Sequence, residues 1–399
     1  PLHSRHGRAG RSTVTRTSRA GAFVYMSILV SIGILALLIV VHELGHFAAA
    51  RLQGIHANRF SIGFGPVLWS YQGAKTEYAI RALPLGGFVG FPDEDEDCPY
   101  PVDDPDLLKN RPILDRAIVM AAGVLANLVF AYLVLLLMVS TLGIPALATY
   151  ESGIVVPEVA ANSPAERAGL AAGDVILKAG NLDYTTVTSE TDSGVAMETL
   201  ESFQNLVREN EGQAISLTVR RAESTSDSRL LQFAVTPRRA EPGDDPRIGV
   251  SLAPNRNVEY RPADNWREVL SSAGTAYQRV VELNLRGFAR LIGNFSDTAG
   301  QISGPVGIVK MGADLAESDA SSLFNFTALI SINLAILNIL PLPALDGGHL
   351  AFLAIEAVRG KRVPRIVEER VMQTGLVLIL GLGVVLILKD TLTIVGGTG

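Results

Sequence analysis

Long apolar stretches separated by polar segments dominate the chain. Four of these stretches carry no charged residue, at 27–41, 117–150, 320–345 and 371–388. A bilayer core about 30 Å thick is crossed by about 20 helical residues. The pattern therefore predicts four membrane spans, near residues 27–48, 117–142, 321–345 and 371–390.

The pattern changes between the second and third predicted spans. Polar and apolar residues alternate along Ile215–Arg220 and Leu231–Val235, which is typical of half-buried strands. Apolar residues recur at helical spacing along Met197–Glu209, and Ser163-Pro164 has the residue types that begin a helix. Residues 151–239 thus predict one inserted α+β domain.

A linker at 240–320 follows the inserted domain. Within it, Asp264–Phe295 carries apolar residues at helical spacing. Such an amphipathic helix either lies along the outer membrane surface or packs under the inserted domain.

Composition supports a membrane protein in contact with lipid and excludes two other classes. Hydrophobic residues make up 48% of the 399 residues and charged residues only 19%, against about 25% in soluble domains. The net charge of −6 offers no basic surface for nucleic acid. The single cysteine, Cys98, excludes a disulfide within the chain.

Charge also predicts which parts of the chain share one side of the membrane. The loop Arg359–Arg370 holds five Lys or Arg residues, and short basic loops stay on the cytoplasmic or equivalent organelle side. The loop after the first span then shares that side, and the inserted domain lies opposite. Residues 1–25 hold five arginines and no acid. They predict a basic leader or a segment upstream of a start at Met26, outside the fold in either case.

A metal-binding motif ends the first predicted span. His42-Glu43-Leu44-Gly45-His46 is an H-E-x-x-H sequence, and residues i and i+4 of a helix share a face. Both imidazoles can therefore reach one ion, with Glu43 as the candidate general base. Ionisable residues at this depth are costly in lipid and are functional by default. The alternative is a polar helix end at the interface.

A third ligand is needed, because a catalytic zinc usually has three from the protein. The first and third predicted spans run in the same direction, so the end of the third lies at the depth of His42 and His46. Asp346 lies at that end and is the candidate ligand. The alternative is that Asp346 only caps the next helix, since Asp before glycines suits a turn.

These and further motifs together resemble the site-2 protease family of intramembrane zinc metalloproteases. The similarity covers essentially residues 26–395 and is greatest to the RseP-type branch with an inserted PDZ domain, in its cyanobacterial and plastid form. In the second span, where the family often has Gly-Pro before an Asn, this chain has Gly123–Asn127. Besides H-E-x-x-H, the matching motifs are Asn338–Gly347 (N-x-x-P-x-P-x-L-D-G), Ser61–Pro66, Pro84–Phe88, Ser303–Ile308 and, for the PDZ domain, Gly169–Asp174 (G-L-x-x-G-D).

The resemblance implies a polytopic α-helical membrane protein with about four transmembrane helices, a membrane-associated β-hairpin and one inserted α+β PDZ domain. The implied parts are a leader at 1–25, the first half of the protease core at 26–150 (with a β-loop at 59–91 and an acidic loop at 93–106), the PDZ domain at 151–239, the linker at 240–320 and the second half of the core at 321–399.

The resemblance also assigns site residues. It implies one zinc ion per chain held by His42, His46 and Asp346, with Glu43 as the catalytic base. Asn338 is a candidate for a substrate-backbone or oxyanion contact, or else makes an ordinary interhelical hydrogen bond.

Two segments are candidates for holding substrate. The β-loop, with Gly63, Phe64 and Gly65, pairs with the substrate as an added strand in the family, or is a plain cytoplasmic hairpin. In the PDZ domain, Gly153, Ile154 and Val155 form the expected carboxylate-receiving loop for peptide ends, or the domain only gates access sterically.

The expected function is regulated proteolysis of single-span membrane proteins, such as an anti-sigma factor. The alternative is a catalytically inactive membrane PDZ adaptor.

Overall fold

The computed structural model describes residues 14–95, 97–157, 159–160, 162–185, 193–224, 227–239, 245–293 and 302–396. The chain divides into two compact units, residues 1–141 with 264–391 and residues 142–263 with 392–399. The predicted leader lies outside the described residues up to residue 13, whereas residues 14–25 continue into the first helix.

The first unit is largely helical and the second mixes strands with helices. In chain order the elements are α1 (Val14–Leu52), β1 (Arg59–Gln72), β2 (Glu77–Gly90), α2 (Ile113–Leu142), β3 (Ile144–Val155), α3 (Pro164–Ala168), β4 (Val175–Ala179), β5 (Leu182–Asp183), α4 (Ser193–Glu209), β6 (Ile215–Ser224), β7 (Asp227–Val235), β8 (Ala253–Arg261), α5 (Trp266–Gly293), α6 (Pro305–Ser318), α7 (Ala320–Ile339), α8 (Asp346–Arg359) and α9 (Arg365–Gly396). Single 3₁₀ turns occur at Pro92–Glu94 and Leu108–Asn110.

Among the described residues, four helices are long and apolar enough to cross a membrane, and each lies over one predicted span. They are Tyr25–Leu52 within α1, Ile113–Leu142, Ala320–Ile339 and Arg365–Leu392 within α9. Their large apolar side chains are widely exposed in the isolated chain; along Leu376–Leu382 every residue is exposed. This is expected of helices whose surroundings are lipid.

The third of these helices is shorter than the sequence predicts. It ends at Ile339 and not at residue 345. Pro341 and Pro343 lack the backbone N–H that a continuing helix requires, and Ala344 has a φ of +70°. The chain therefore turns before α8 begins at Asp346.

The strands β1 and β2 are bent, and each pairs along two separate segments. Residues 59–62 pair in parallel with 77–80 and antiparallel with 87–90, and residues 67–72 pair antiparallel with 77–81. Positive φ angles in the bends, from +83° to +125°, explain the glycines there (Gly63, Gly65 and Gly86), since glycine adopts such angles without strain. Within the described chain, the segment 87–90 forms one edge of this sheet.

Much of the acidic loop is tied to the first unit by hydrogen bonds. Arg59 pairs with Asp95, and Asp93 accepts from the backbone N–H of Lys109 at 2.8 Å. Cys98 in the same loop is a free, partly buried thiol. The loop is therefore anchored to the protein at Asp93 and Asp95, while several of its other residues are exposed.

Two aspartates of this loop form a cluster of possible metal ligands with a histidine, but an arginine side chain already pairs with the cluster. His56, Asp104 and Asp106 offer ligand atoms within 4.8 Å of one another. The Arg111 guanidinium donates to Asp106 Oδ1 at 2.7 Å and supplies the positive charge. The cluster is accounted for as an ion-pair network.

The second unit is an antiparallel sheet with helices packed against it. The strand order is β7-β6-β4-β3-β8, and β5 pairs with β4. Helix α3 confirms its predicted start, because Ser163 Oγ accepts from the Glu166 N–H at 3.1 Å and Pro164 occupies the first turn. The core is apolar and includes Ile154, Val156, Ile176, Phe203, Leu217 and Val219.

A partly buried ion pair joins α2 to α8, the helix that begins with Asp346. The two terminal nitrogens of the Arg116 guanidinium, Nη2 and Nη1, donate to the Glu356 carboxylate, at 2.6 and 3.0 Å. These hydrogen bonds hold the pKa of Glu356 below its usual value, although burial opposes the shift; Arg362 adds to it. The pair fixes α8 against α2 and so limits where Asp346 can lie.

Candidate active site

Helices α1 and α2 cross almost in contact where the H-E-x-x-H motif lies. Any side chain at Gly45 would collide with the carbonyl oxygen of Ala122 and would lie 2.7 Å from Ala126 Cβ. Since His42 and His46 lie one turn apart on α1, their rings share a face, with centroids 4.8 Å apart. This face is directed at α2, and both histidines are only 8% exposed.

Gly123 of α2 leaves the space that the two rings fill. A Cβ at this position would lie 2.8 Å from His42 Cε1 and 2.7 Å from His46 Cε1, and closer still to His46 Nε2. Non-bonded carbons do not approach to such distances, so only glycine is compatible with both rings as they stand.

Asp346 reaches the same point from the start of α8. Its Oδ2 lies 3.1 Å from His42 Nε2 and 3.3 Å from His46 Nε2. The first turn of α8 fits tightly under the preceding loop, because a side chain at Gly347 would collide with the carbonyl oxygens of Ile339 and Leu340. The residue before α8, Leu345, is its N-cap and makes no side-chain capping bond. The capping alternative for Asp346 is therefore not what the structure shows.

The donor set suits a zinc-like ion. The Nε2 atoms of His42 and His46 are 3.2 Å apart, and the Asp346 carboxylate faces both. His46 Nδ1 lies 2.8 Å from the carbonyl oxygen of Val119, which can only accept, so Nδ1 carries the proton and Nε2 keeps its lone pair. Two imidazole nitrogens and one carboxylate oxygen are a usual catalytic zinc set.

Glu43 lies beside the metal-ligating group, against the edge of the β1–β2 sheet. A Cβ at Gly87 would lie 2.8 Å from Glu43 Cγ and 3.5 Å from Glu43 Cδ. The backbone of β2 therefore passes within van der Waals reach of the candidate base.

The other predicted contacts of the protease core lie nearby. Asn338 Nδ2 is 3.3 Å from His42 Nε2, so the amide borders the ligand group. Gly63 and Gly65 flank Phe64 in a bend of β1, and a Cβ at Gly86 would collide with the Phe64 ring. Phe64 thus packs on Gly86, and the next residue, Gly87, lies against Glu43. A change in this bend of β1 can therefore reach Glu43 through Gly86 and Gly87.

The residues predicted to receive a peptide carboxylate lie inside the sheet of the second unit. Gly153 has a φ of +98°, and Ile154 and Val155 pair with β4 on one side. On the other side they pair with Pro254 and Ala253 of β8. Both edges of β3 are therefore taken at this point, and a peptide could add there only by displacing β8.

An open cavity of about 340 Å³ lies elsewhere in the second unit. One wall is the α4 face with Phe203 and Val207, and the other is the segment from Ile248 to Leu252. Arg208 and Arg247 stand at the cavity and are exposed. The cavity combines an apolar floor with two cations and one carboxylate, Asp245, which pairs with Arg208 at 3.6 Å.

Sequence reasoning missed Gly123, the Val119 carbonyl and Gly87 as parts of the protease site. The signal that could have found the first is the run of small residues Ala121–Gly123, ahead of a lone amide at Asn127 in a charge-free span. Small residues mark the places where helices approach closely in membranes. For a backbone carbonyl such as Val119 no sequence signal exists.

Comparisons with known proteins point to metallopeptidases. The profile of peptidase family M50 matches residues 30–382. A protein of Nostoc sp. named "Putative zinc metalloprotease" is 51% identical over 92% of this chain and 96% of its own length. The chloroplastic "Membrane metalloprotease ARASP" of Arabidopsis thaliana is 42% identical over 93% of this chain and 80% of its own length. A crystal structure of a PDZ domain from Listeria monocytogenes, 16% identical, covers 25% of this chain and 87% of its own length with a TM-score of 0.18.

Proposed function

The chain belongs to peptidase family M50, the site-2 protease family, and on that premise we propose that it is a zinc-dependent endopeptidase of membrane-spanning substrates. The observation that carries the proposal is the convergence of His42, His46 and Asp346 next to Glu43, in a bundle of apolar helices. The complete ligand set with its neighbouring base disfavours an inactive PDZ adaptor. The Arabidopsis relative is named as a membrane metalloprotease, which supports a membrane location.

The residues of the site divide the chemistry between them. His42, His46 and Asp346 would hold one zinc ion, which supplies a Lewis acid for the attacking water and the scissile carbonyl. Glu43 takes a proton from the attacking water and delivers it to the leaving amine. Asn338, on the ligand side of His42, donates an N–H to the carbonyl oxygen as negative charge develops there.

Metal removal tests the proposal. The purified full chain in detergent is expected to contain about one zinc ion and to cut a fluorescent single-span substrate, such as an anti-sigma-type segment. A chelator should abolish cleavage, and equimolar Zn²⁺ but not Mg²⁺ should restore it, because nitrogen ligands favour zinc. Undiminished cleavage by metal-free protein would contradict the proposal.

The substrate is presented by strand addition. Helical substrates hide their carbonyls in internal hydrogen bonds, and an extended segment beside the edge 87–90 exposes them next to Glu43. Phe64, which lies between Gly63 and Gly65 in the bend of β1, supports this edge by packing on Gly86.

The active site lies near the cytoplasmic or stromal side, and the second unit on the opposite side. This orientation follows from the basic loop Arg359–Arg370. Cys98, the only cysteine, reports on it directly, since its loop follows the first span. A membrane-impermeant maleimide should label Cys98 only from the cytoplasmic or stromal face; labelling from the other face would reverse the orientation.

The second unit binds a peptide end in the cavity beside α4. Arg247 matches a terminal carboxylate, whereas Arg208 is already paired with Asp245 of the lining at 3.6 Å. Phe203 with Ile248 matches an apolar last side chain. The site therefore moves away from Gly153, Ile154 and Val155, whose strand edges are already paired.

A labelled hexapeptide ending in leucine should bind the full chain at least tenfold more tightly than its C-terminal amide. Arg247→Glu should remove this preference, because it reverses the charge that meets the carboxylate. Arg167→Glu, an exposed charge reversal on α3 and outside the cavity lining, serves as the control. Equal binding of acid and amide would leave steric gating as the role of this unit.

A further inference from the structure

One buried amide stands behind the metal-ligating histidines without an assigned role. Asn127 of α2 is fully buried, and its Nδ2 lies 3.4 Å from His42 Nδ1. Its Oδ1 is buried and has no hydrogen-bond partner in the described part of the chain. Ser331 Oγ donates to the backbone carbonyl oxygen of Asn127 at 2.8 Å, a hydrogen bond that does not involve the side-chain amide.

The two nitrogens of His42 face different partners. Nε2 faces His46, Asp346 and Asn338, at 3.1 to 3.3 Å, whereas Nδ1 faces Asn127. If Nε2 holds the metal it carries no proton, so Nδ1 carries it and needs an acceptor. The Asn127 side chain supplies one when a half-turn of its amide exchanges Nδ2 for Oδ1, which gives the buried oxygen a donor.

We infer that Asn127 is a positioning residue that accepts the Nδ1 proton of His42 and so directs the Nε2 lone pair at the zinc ion. The inference rests on the proposed zinc site and deepens it. It makes α2 the common support of both ligands, because the Val119 carbonyl does the same for His46. Val119, Gly123 and Asn127 recur every fourth residue and share one face of α2. On this face the Val119 carbonyl and the Asn127 side chain are the two acceptors, and Gly123 between them leaves space for the histidine rings.

Two substitutions separate an acceptor from a mere space filler. Asn127→Leu keeps the approximate volume without any hydrogen-bonding atom, and Asn127→Asp keeps an acceptor while removing the NH₂ group. We expect Asn127→Leu to weaken Zn²⁺ binding about 10–100-fold, as for the loss of other hydrogen-bond partners of metal-bound histidines. Asn127→Asp should bind Zn²⁺ within about threefold of the unmodified chain.

Zinc affinity is measured with the full chain in detergent, by competition of Zn²⁺ with a chromophoric chelator. Ser331→Ala is the matched control, because it removes a buried hydrogen bond to the same residue and leaves the side-chain amide untouched. It should leave zinc affinity unchanged. Thermal unfolding of each metal-free variant shows that it is folded.

The outcomes are distinguishable. Weak binding by Asn127→Asp would mean that the amide donates to His42 and would overturn the inference, as would unchanged binding by Asn127→Leu. If Asn127→Leu does not fold, the aspartate variant alone decides. Absence of zinc binding by the unmodified chain would instead overturn the proposed function, before any variant is compared.

Discussion

Replacing Glu43 by glutamine is expected to lower the rate of peptide-bond cleavage about a thousandfold. The amide keeps the size of the side chain beside Gly87 but cannot accept a proton from water. The zinc ligands are untouched, so the variant should still hold one zinc ion per chain. Cleavage of a labelled membrane-spanning peptide and zinc content, measured on one preparation, check both parts of the expectation.

The control for this variant is Glu282→Gln, which removes a surface carboxylate of α5 paired with Arg286. Its cleavage rate should equal that of the unmodified chain. A Glu43→Gln protein that cuts at more than about a tenth of the normal rate would assign the proton transfer to another group. Loss of zinc together with activity would instead make Glu43 a structural residue of the site.

Gly123→Ala is expected to reduce zinc affinity by up to about a hundredfold and to abolish cleavage at limiting zinc. The added methyl group occupies the space now held by the rings of His42 and His46, with contacts below 3 Å. Overpacking of this kind costs about 1–3 kcal/mol, and about 1.4 kcal/mol changes an equilibrium constant tenfold. The cost falls on the metal-binding geometry, because the rings must move apart or the helices must separate.

Gly33→Ala is the matched control, since it adds the same methyl group to the charge-free part of α1 with no atom within 4 Å. Chelator competition should show normal zinc affinity for Gly33→Ala and weakened affinity for Gly123→Ala. Normal affinity in both would mean that α1 and α2 relax easily, and that the close crossing at Gly45 is not required for the site.

The grouping of His42, His46 and Asp346 could be predicted because helical spacing and the order of the spans are read directly from the sequence. The spacing of His42 and His46 fixes a shared face, and the count of spans fixes the depth of Asp346. Gly123 and Asn127 could not be assigned in this way. Their roles depend on which face of α2 packs on α1. The sequence does not indicate this face, because apolar residues surround both helices on all sides.

The second unit shows a different limit of sequence reasoning. Local alternation and capping residues identified its strands and the start of α3 at Ser163-Pro164. The partners of a strand are not local: β3 pairs at Ile154 with Pro254, on β8, a strand much later in the chain. For that reason the loop expected to be open to a peptide is paired, and the cavity lies beside α4.

The sheet edge beside Glu43 makes substrate length matter as well as substrate sequence. A strand advances about 3.3 Å per residue and a helix about 1.5 Å. Unwinding the four residues that lie along Gly87–Gly90 therefore lengthens a substrate by about 7 Å. A substrate segment with a folded domain on each side of the bilayer cannot supply this extra length. A segment that has already lost one of these domains can move into the membrane by about 7 Å.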